Sequence, residues 1–529
     1  MKKTLSILLA LAMLLGLATV AIAEDDWITL RVECFDREIT GLDVTDCWQL
    51  HYAQENFGDP NHIKLEFVSF ARWTEDELLT NALAGGTAPD ICMTYNGPVQ
   101  QCIDDEGIWQ LDDLLNEYGQ NLKAFLGEDL LAYGQRDHDG DGENEQWYIP
   151  ARRISRANVG HFIREDWLKA LNMDKPTTIE EFTEYLRAAK EANLGGENTV
   201  PFSFSIFASD PMFNVRRFTD AFVDFSQVTE EDWFAYAKDP EMLPGAKEGF
   251  RWLNTLYNEG LIPETFALTD NDQANDTALI QGYNGFFSGQ PDQPWRTDKN
   301  YEIELEKKVE GGHWVTVNCF QNESLGGKCL HDIYAPNGLA VIIPLTTNEE
   351  TAVAAMKYLD WLAIPENMFA MQNGTEGINY EGLNEDGIPY GVKSADDVPD
   401  ENKIHAGDVC FISNGLNYND DAKNTAALVL PFAGYEEDVK ASYADSLSDA
   451  WTQISFPVAV QADTDYGATV KSKQGEFLAA VVSASPDDFD AVYDQYIQEI
   501  MDAGAAEMID AFRAAYQEGN YRGTFPGNL

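Results

Sequence analysis

The sequence predicts an α/β protein built as two domains that the chain visits more than once. Three observations carry this. The chain has 529 residues, more than a single core of ordinary size uses. Short apolar runs alternate with helical patterns in two sets, one before Pro150 and one after it. Strands alternating with helices imply βαβ units and a largely parallel sheet. A further apolar strand and helix at 338–362 then follow the second set.

The first set opens with alternation at 27–32, a strand, then a helix over 43–56 and a strand over 63–70. Thr74 is placed to cap the next helix, with Glu77 completing a capping box. That helix stops at Gly85-Gly86, and 89–93 reads as a short buried strand before a helix at 109–115. In the second set, 161–163 is a strand and 165–171 a helix, and Pro176-Thr177-Thr178 caps a helix over 179–192. Residues 202–207 form a strand. An amphipathic helix at 246–259 ends at Gly260. The strand 338–343 and the helix 349–362 follow, and the C-terminus is helical over 486–503 and 505–516. No repeat and no low-complexity tract is visible.

The charge narrows the partners. With 90 acidic and 35 basic residues, the net charge is −55. Nucleic acid and anionic membrane surfaces are disfavoured, since phosphate contacts need Lys and Arg. The N-terminus carries Lys2 and Lys3, an apolar stretch over 5–20, and Ala21-Ile22-Ala23 at the expected cleavage position, so 1–23 reads as a secretory signal. No cysteine follows the predicted cut, so the usual lipoprotein anchor is not expected. The seven cysteines include three local pairs, Cys34/Cys47, Cys92/Cys102 and Cys319/Cys329. Export permits disulfides there, and reduced buried thiols are the equal alternative.

Several segments resemble bacterial extracellular solute-binding proteins of the family 1 group, especially the oligosaccharide-binding branch. They are Leu83 to Ile91 (LAGGTAPDI), Phe162 to Leu168 with Pro176 to Phe182 (FIREDWL and PTTIEEF), Leu256 to Ile262 (LYNEGLI), and Gly374 to Glu381. The resemblance implies a two-lobed periplasmic-binding-protein-like (Venus flytrap) α/β fold of type II with discontinuous lobes. The expected division is 24–150 with 332–400, and 153–325 with 405–529, with hinges near 150–153, 325–332 and 400–405. It further implies capture of an oligosaccharide in the inter-lobe cleft, delivery to the membrane subunits of an ABC importer, and no catalysis; a monomer is expected. A peptide or another small solute on the same fold is the alternative, and a secreted glycan-active enzyme a more distant one. No Gly-x-Ser-x-Gly, His-Glu-x-x-His or phosphate-binding loop supports catalysis.

A sugar site needs flat apolar faces and planar polar groups, and ligands approach α/β sheets at the C-terminal ends of strands. Trp73, Tyr95, Asn96, Phe207 and Trp295 sit in such positions. Arg152 and Arg153, with Arg156, form a positive run beyond Pro150, able to grip carboxylates or paired hydroxyls. The sharpest motif is Asp137-His138-Asp139-Gly140-Asp141-Gly142-Glu143-Asn144-Glu145. Its alternating carboxylates before glycine turns suit a hard cation, a structural calcium. Asp137, Asp139, Asp141 and Glu145 are the side-chain ligands expected, with the backbone carbonyl of Glu143. Tyr148 stands where a complete EF-hand loop has its bidentate Glu.

Overall fold

A computed structural model describes residues 27–95, 97–268, 273–296, 301–405 and 408–529. The expected signal segment 1–23 and Asn96 lie outside the described residues. The chain divides into two compact units: 1–151 with 339–382 and 391–412, and 152–338 with 383–390 and 413–529. The chain passes between them at 151/152 and at 412/413. The other main passage is at 338/339, so 332–338 belong to the second unit rather than the first.

In the first unit, strand Ile28–Asp36 runs parallel to Ile63–Ala71, with Ile28 opposite Ile63 and Asp36 opposite Ala71. Ile91 bridges Val32 in parallel, and Cys92–Thr94 pairs antiparallel with the strand Asn337–Ile342. Leu30, Val32, Leu65 and Phe67 face a core completed by Tyr358 and Leu359 of helix Glu349–Leu362. That helix begins where the sequence places it, because Asn348 accepts the Thr351 amide as N-cap. The Ala-Gly-Gly-Thr-Ala-Pro-Asp turn has a local cause. Gly86 takes φ +64, a region that favours glycine, and ends helix Glu75–Ala84. Asp90 then accepts the Arg31 amide at 2.8 Å and the Thr347 hydroxyl at 3.1 Å.

The second unit is built on a four-stranded sheet in the order Trp314–Thr316, Gly160–Arg164, Asn284–Gly289, Val200–Phe202. Here the expectation of a largely parallel sheet is corrected. Gly160–Arg164 is antiparallel to both neighbours, and only Val200–Phe202 pairs in parallel. A strand buried on both faces reads as one apolar run, and that run carries no sign of direction. The core is an aromatic pile of Phe182, Phe202, Phe218, Phe286 and Phe320. His161 lies edge-on to Phe320, with ring centroids 4.9 Å apart, and burial holds its imidazole neutral by lowering its pKa.

Other local expectations separate in the same way. Thr178 does cap helix Ile179–Glu191, accepting the Glu181 amide. Thr74 does not cap its helix. A 3-10 turn over Arg72–Thr74 leaves it at ψ 18, away from the extended backbone of a capping residue, and its side chain makes no capping bond. The 23-residue helix Gln461–Ser483 was not foreseen, because polar residues and Gly467 and Gly475 interrupt its apolar pattern. All seven cysteines are free thiols, six of them buried. No helix among the described residues is long and apolar enough to cross a membrane.

Candidate functional site

The acidic loop of the first unit is closed at its base by a two-stranded ladder, Gln135 opposite Gln146 and Arg136 opposite Glu145. Gln146 is buried and donates to the carbonyls of Leu131 and Tyr148, at 3.1 and 2.6 Å, which fixes the base. Within the loop, each Asp folds the backbone around itself. Asp137 accepts the amides of Gly140 and Gly142 at 2.7 and 3.0 Å, and Asp139 that of Asp141 at 3.1 Å. Asp141 accepts that of Glu143 at 2.9 Å. Gly140 and Gly142 take φ +78 and +94, so the turns require glycine. The outcome is convergence: one carboxylate oxygen each from Asp137, Asp139, Asp141 and Glu145 lies within 4.8 Å of the others. The Glu143 side chain is not one of this group. Four hard oxygen donors at this spacing match the demands of a hard cation and not those of zinc. Tyr148, at the position of the missing Glu, instead donates its hydroxyl to the Tyr133 carbonyl.

At the C-terminal ends of the parallel strands, the first unit gathers a second group. Trp73 is 76% exposed, which is unusual for a large aromatic side chain. Arg72 holds the cluster together: its guanidinium carbon lies 4.9 Å from the Phe35 ring centroid, 4.7 Å from Tyr95 and 5.6 Å from Trp73. Phe35 and Tyr95 stack at 6.2 Å. Beneath them, Glu75 is buried beside the Thr94 hydroxyl. Burial raises its carboxyl, against the lowering effects of Thr94 and the Arg72 charge. Glu33, also buried, accepts the Met93 amide at 3.2 Å. Burial raises its carboxyl well above the usual range, and the nearby Glu75 adds to this. The arrangement offers a bare indole face with hydrogen-bonding groups beside it. Of the residues expected from strand-end positions, Trp73 and Tyr95 are the two brought together here. Arg72 was missed, though an arginine directly before an exposed turn tryptophan was the available signal.

The remaining expected residues belong to the second unit. Arg153 lies over the Tyr334 ring at 4.3 Å and donates to the Asn337 carbonyl at 3.3 Å. Arg152 is half-buried, and burial lowers its pKa against the opposing charge of Asp421. Arg156 donates to the Tyr334 carbonyl at 2.9 Å and the Thr452 hydroxyl at 2.7 Å, so it ties backbone segments together. Phe207 is half-buried, 5.9 Å from Phe213. Trp295 is a correction. It sits on a 3-10 turn after strand Asn284–Gly289, as its position implied, but it is 3% exposed. Its ring packs edge-on to Phe162 at 5.6 Å in a cluster with Phe287 and Tyr301, so neither face is open for stacking. An indole with apolar neighbours on several elements is drawn into the core whatever its place in sequence.

Residues 52–380 match the family described as bacterial extracellular solute-binding protein. The lipoprotein LipO of Bacillus subtilis (strain 168) is 25% identical over 292 residues, covering 52% of this chain and 52% of LipO. The fructooligosaccharide ABC transporter substrate-binding protein FusA of Streptococcus pneumoniae is 24% identical over 173 residues, 29% of this chain and 30% of FusA. The chain thus matches about half the length of one curated relative and under a third of the other. Among solved structures, an HMO-binding, ABC-transporter-associated solute-binding protein from Bifidobacterium longum infantis superposes with a TM-score of 0.65. It is 15% identical, with 94% of this chain and 100% of that one covered. An EF-hand mutant of FusA in complex with fructo-nystose superposes with a TM-score of 0.57 at 15% identity, covering 93% and 99%. These likenesses establish the two-lobed solute-binding fold.

Proposed function

Because the chain belongs to the bacterial extracellular solute-binding proteins, we propose that it captures an oligosaccharide outside the cell and hands it to an ABC importer. The observation that carries the sugar reading is Trp73, a flat apolar face left 76% exposed beside Arg72 and Tyr95 at the ends of parallel strands. Pyranose rings stack on such faces, and the neighbouring polar groups answer their hydroxyls. The fructooligosaccharide-binding relative supports the same ligand class. Ligand binding that favours one conformation of a two-lobed protein is the signal an importer reads.

The test is calorimetry with an oligosaccharide panel, followed by Trp73→Ala. Losing one stacking aromatic costs about 1–3 kcal/mol, by analogy with base stacking, or roughly tenfold to hundredfold in affinity. The melting temperature should not change, because the side chain is already exposed. Unaltered affinity in Trp73→Ala places the site elsewhere.

The reading includes a structural calcium at Asp137, Asp139, Asp141 and Glu145, with the Glu143 carbonyl completing the set. The convergence of the four carboxylates supports it, as does the EF-hand named for FusA.

A further inference from the structure

A pocket of about 280 Å³ opens within the second unit, close to the lower end of ligand sites, about 300–1,000 Å³. Its charge departs from that of the chain. Acids outnumber bases 90 to 35 overall. Here four basic residues, Arg216, Arg217, Lys238 and Lys471, line the walls against three acids, Asp210, Asp220 and Asp332.

Two of the three acids are already engaged. Asp220 pairs with Arg216 at 3.2 Å, and burial raises its carboxyl while the Arg216 charge opposes this. The Oδ2 of Asp332 accepts the side-chain amides of Asn158 and Gln453, each at 2.6 Å. Lys238 and Lys471 form no salt bridge among the described residues. In the pocket wall, Gln474 donates to the Lys238 carbonyl at 2.7 Å, to Glu241 at 3.0 Å and to Asp239 at 3.4 Å. Asp239 and Glu241 are fully buried, and burial raises both carboxyls. They hold protons where an ordinary carboxylate has lost its own, which limits how far they offset the lysines. Phe213 supplies a half-buried aromatic wall, with the Arg217 guanidinium 4.7 Å from its ring centroid.

We propose that this pocket takes an acidic residue of the captured oligosaccharide, its carboxylate meeting Lys238 and Lys471 and its ring lying against Phe213. The assignment rests on the oligosaccharide-binding reading above and names the ligand class within it. Four positive groups against three negative ones leave a surplus of one. A sugar carboxylate, which carries a single charge, balances it; a doubly charged phosphate ester does not. A lysine ammonium is a compact point charge suited to meeting an anion.

Calorimetry on the full chain tests this with three sets of tri- and tetrasaccharides: uronate-containing, neutral counterparts, and sulfated or phosphorylated counterparts. The uronate set should include the tightest ligand, about tenfold or more above its neutral counterpart, with an affinity that falls as salt rises. Lys471→Gln and Lys238→Gln should each bring the uronate affinity toward the neutral value, with melting curves verifying that the variants fold. Neutral sugars binding as tightly as uronates, or both lysine variants retaining wild-type uronate affinity, overturns the inference and leaves the solute-binding reading standing. Sulfated or phosphorylated sugars binding as well as uronates overturns the carboxylate assignment. If no member of any set binds, this inference and the oligosaccharide reading fall together.

Discussion

The carboxylates of Asp137, Asp139, Asp141 and Glu145 gather at the surface of the first unit, whereas those of Asp239 and Glu241 gather inside the second. In the loop, every Asp accepts backbone amides, the carboxylates converge, and water reaches the group. In the interior pair, Gln474 is shared between both residues, and an oxygen of each has no hydrogen-bond partner. Desolvation penalises the charged form, and each acid takes up a proton more readily than in water. The same functional group therefore offers oxygen ligands to a cation in one place and takes up a proton in the other. Solvent access decides between them, since both clusters are built from the same carboxylate groups.

The strongest way to break this comparison is a chelator, which tests the calcium proposed for the loop. A ligand present at a hundred times its dissociation constant stabilises the folded state by about 2.7 kcal/mol. For a unit of this size, that corresponds to roughly 5–10 °C in melting temperature. A calcium chelator should lower the first transition by that amount in the wild type and leave Asp139→Ala, already lowered, unmoved. If wild type and variant melt alike with and without chelator, the loop is only a turn.

A smaller effect is expected at the interior pair. A raised carboxyl keeps its proton in the folded state after the unfolded chain has lost it. As pH rises from the ordinary carboxylate range near 4 into the neutral range, the unfolded state therefore binds fewer protons and stability falls. The contribution is fully present at low pH and is lost as pH climbs. Glu241→Gln mimics the protonated acid. It should leave stability unchanged at pH 5 and raise it by about 1–2 kcal/mol at pH 8, read from urea unfolding at both values. A variant that loses stability equally at both values means the carboxyl does not hold a proton there.

The smallest effect sharpens the loop itself. The Glu143 side chain stands outside the converging group, so Glu143→Gln should change stability by no more than about 0.5 kcal/mol and leave calcium affinity near wild type. Glu145→Gln, which removes a converging charge, should weaken calcium clearly in the same titration. Equal losses from both would redraw the ligand set.

Features within one short stretch of chain were legible in the sequence. The loop at 137–145, the Thr178 cap, the Gly86 turn and helix Glu349–Leu362 all depend on hydrogen bonds or turns reaching only a few residues, and those residues are adjacent on the page. The strand-end positions of Trp73 and Tyr95 belong to the same class. Only the tertiary structure could decide what depends on burial and distant packing. Trp295, like Trp73, lies on a 3-10 turn after a strand, yet it is buried in a cluster with Phe162, Phe287 and Tyr301, and no local pattern announces neighbours from three other segments. Strand direction in the second unit, the proton held by Glu241, and the placing of Lys238 and Lys471 on the walls of one pocket are of this kind. Local geometry is set by residue identity and spacing; dielectric surroundings and long-range neighbours exist only once the chain has folded.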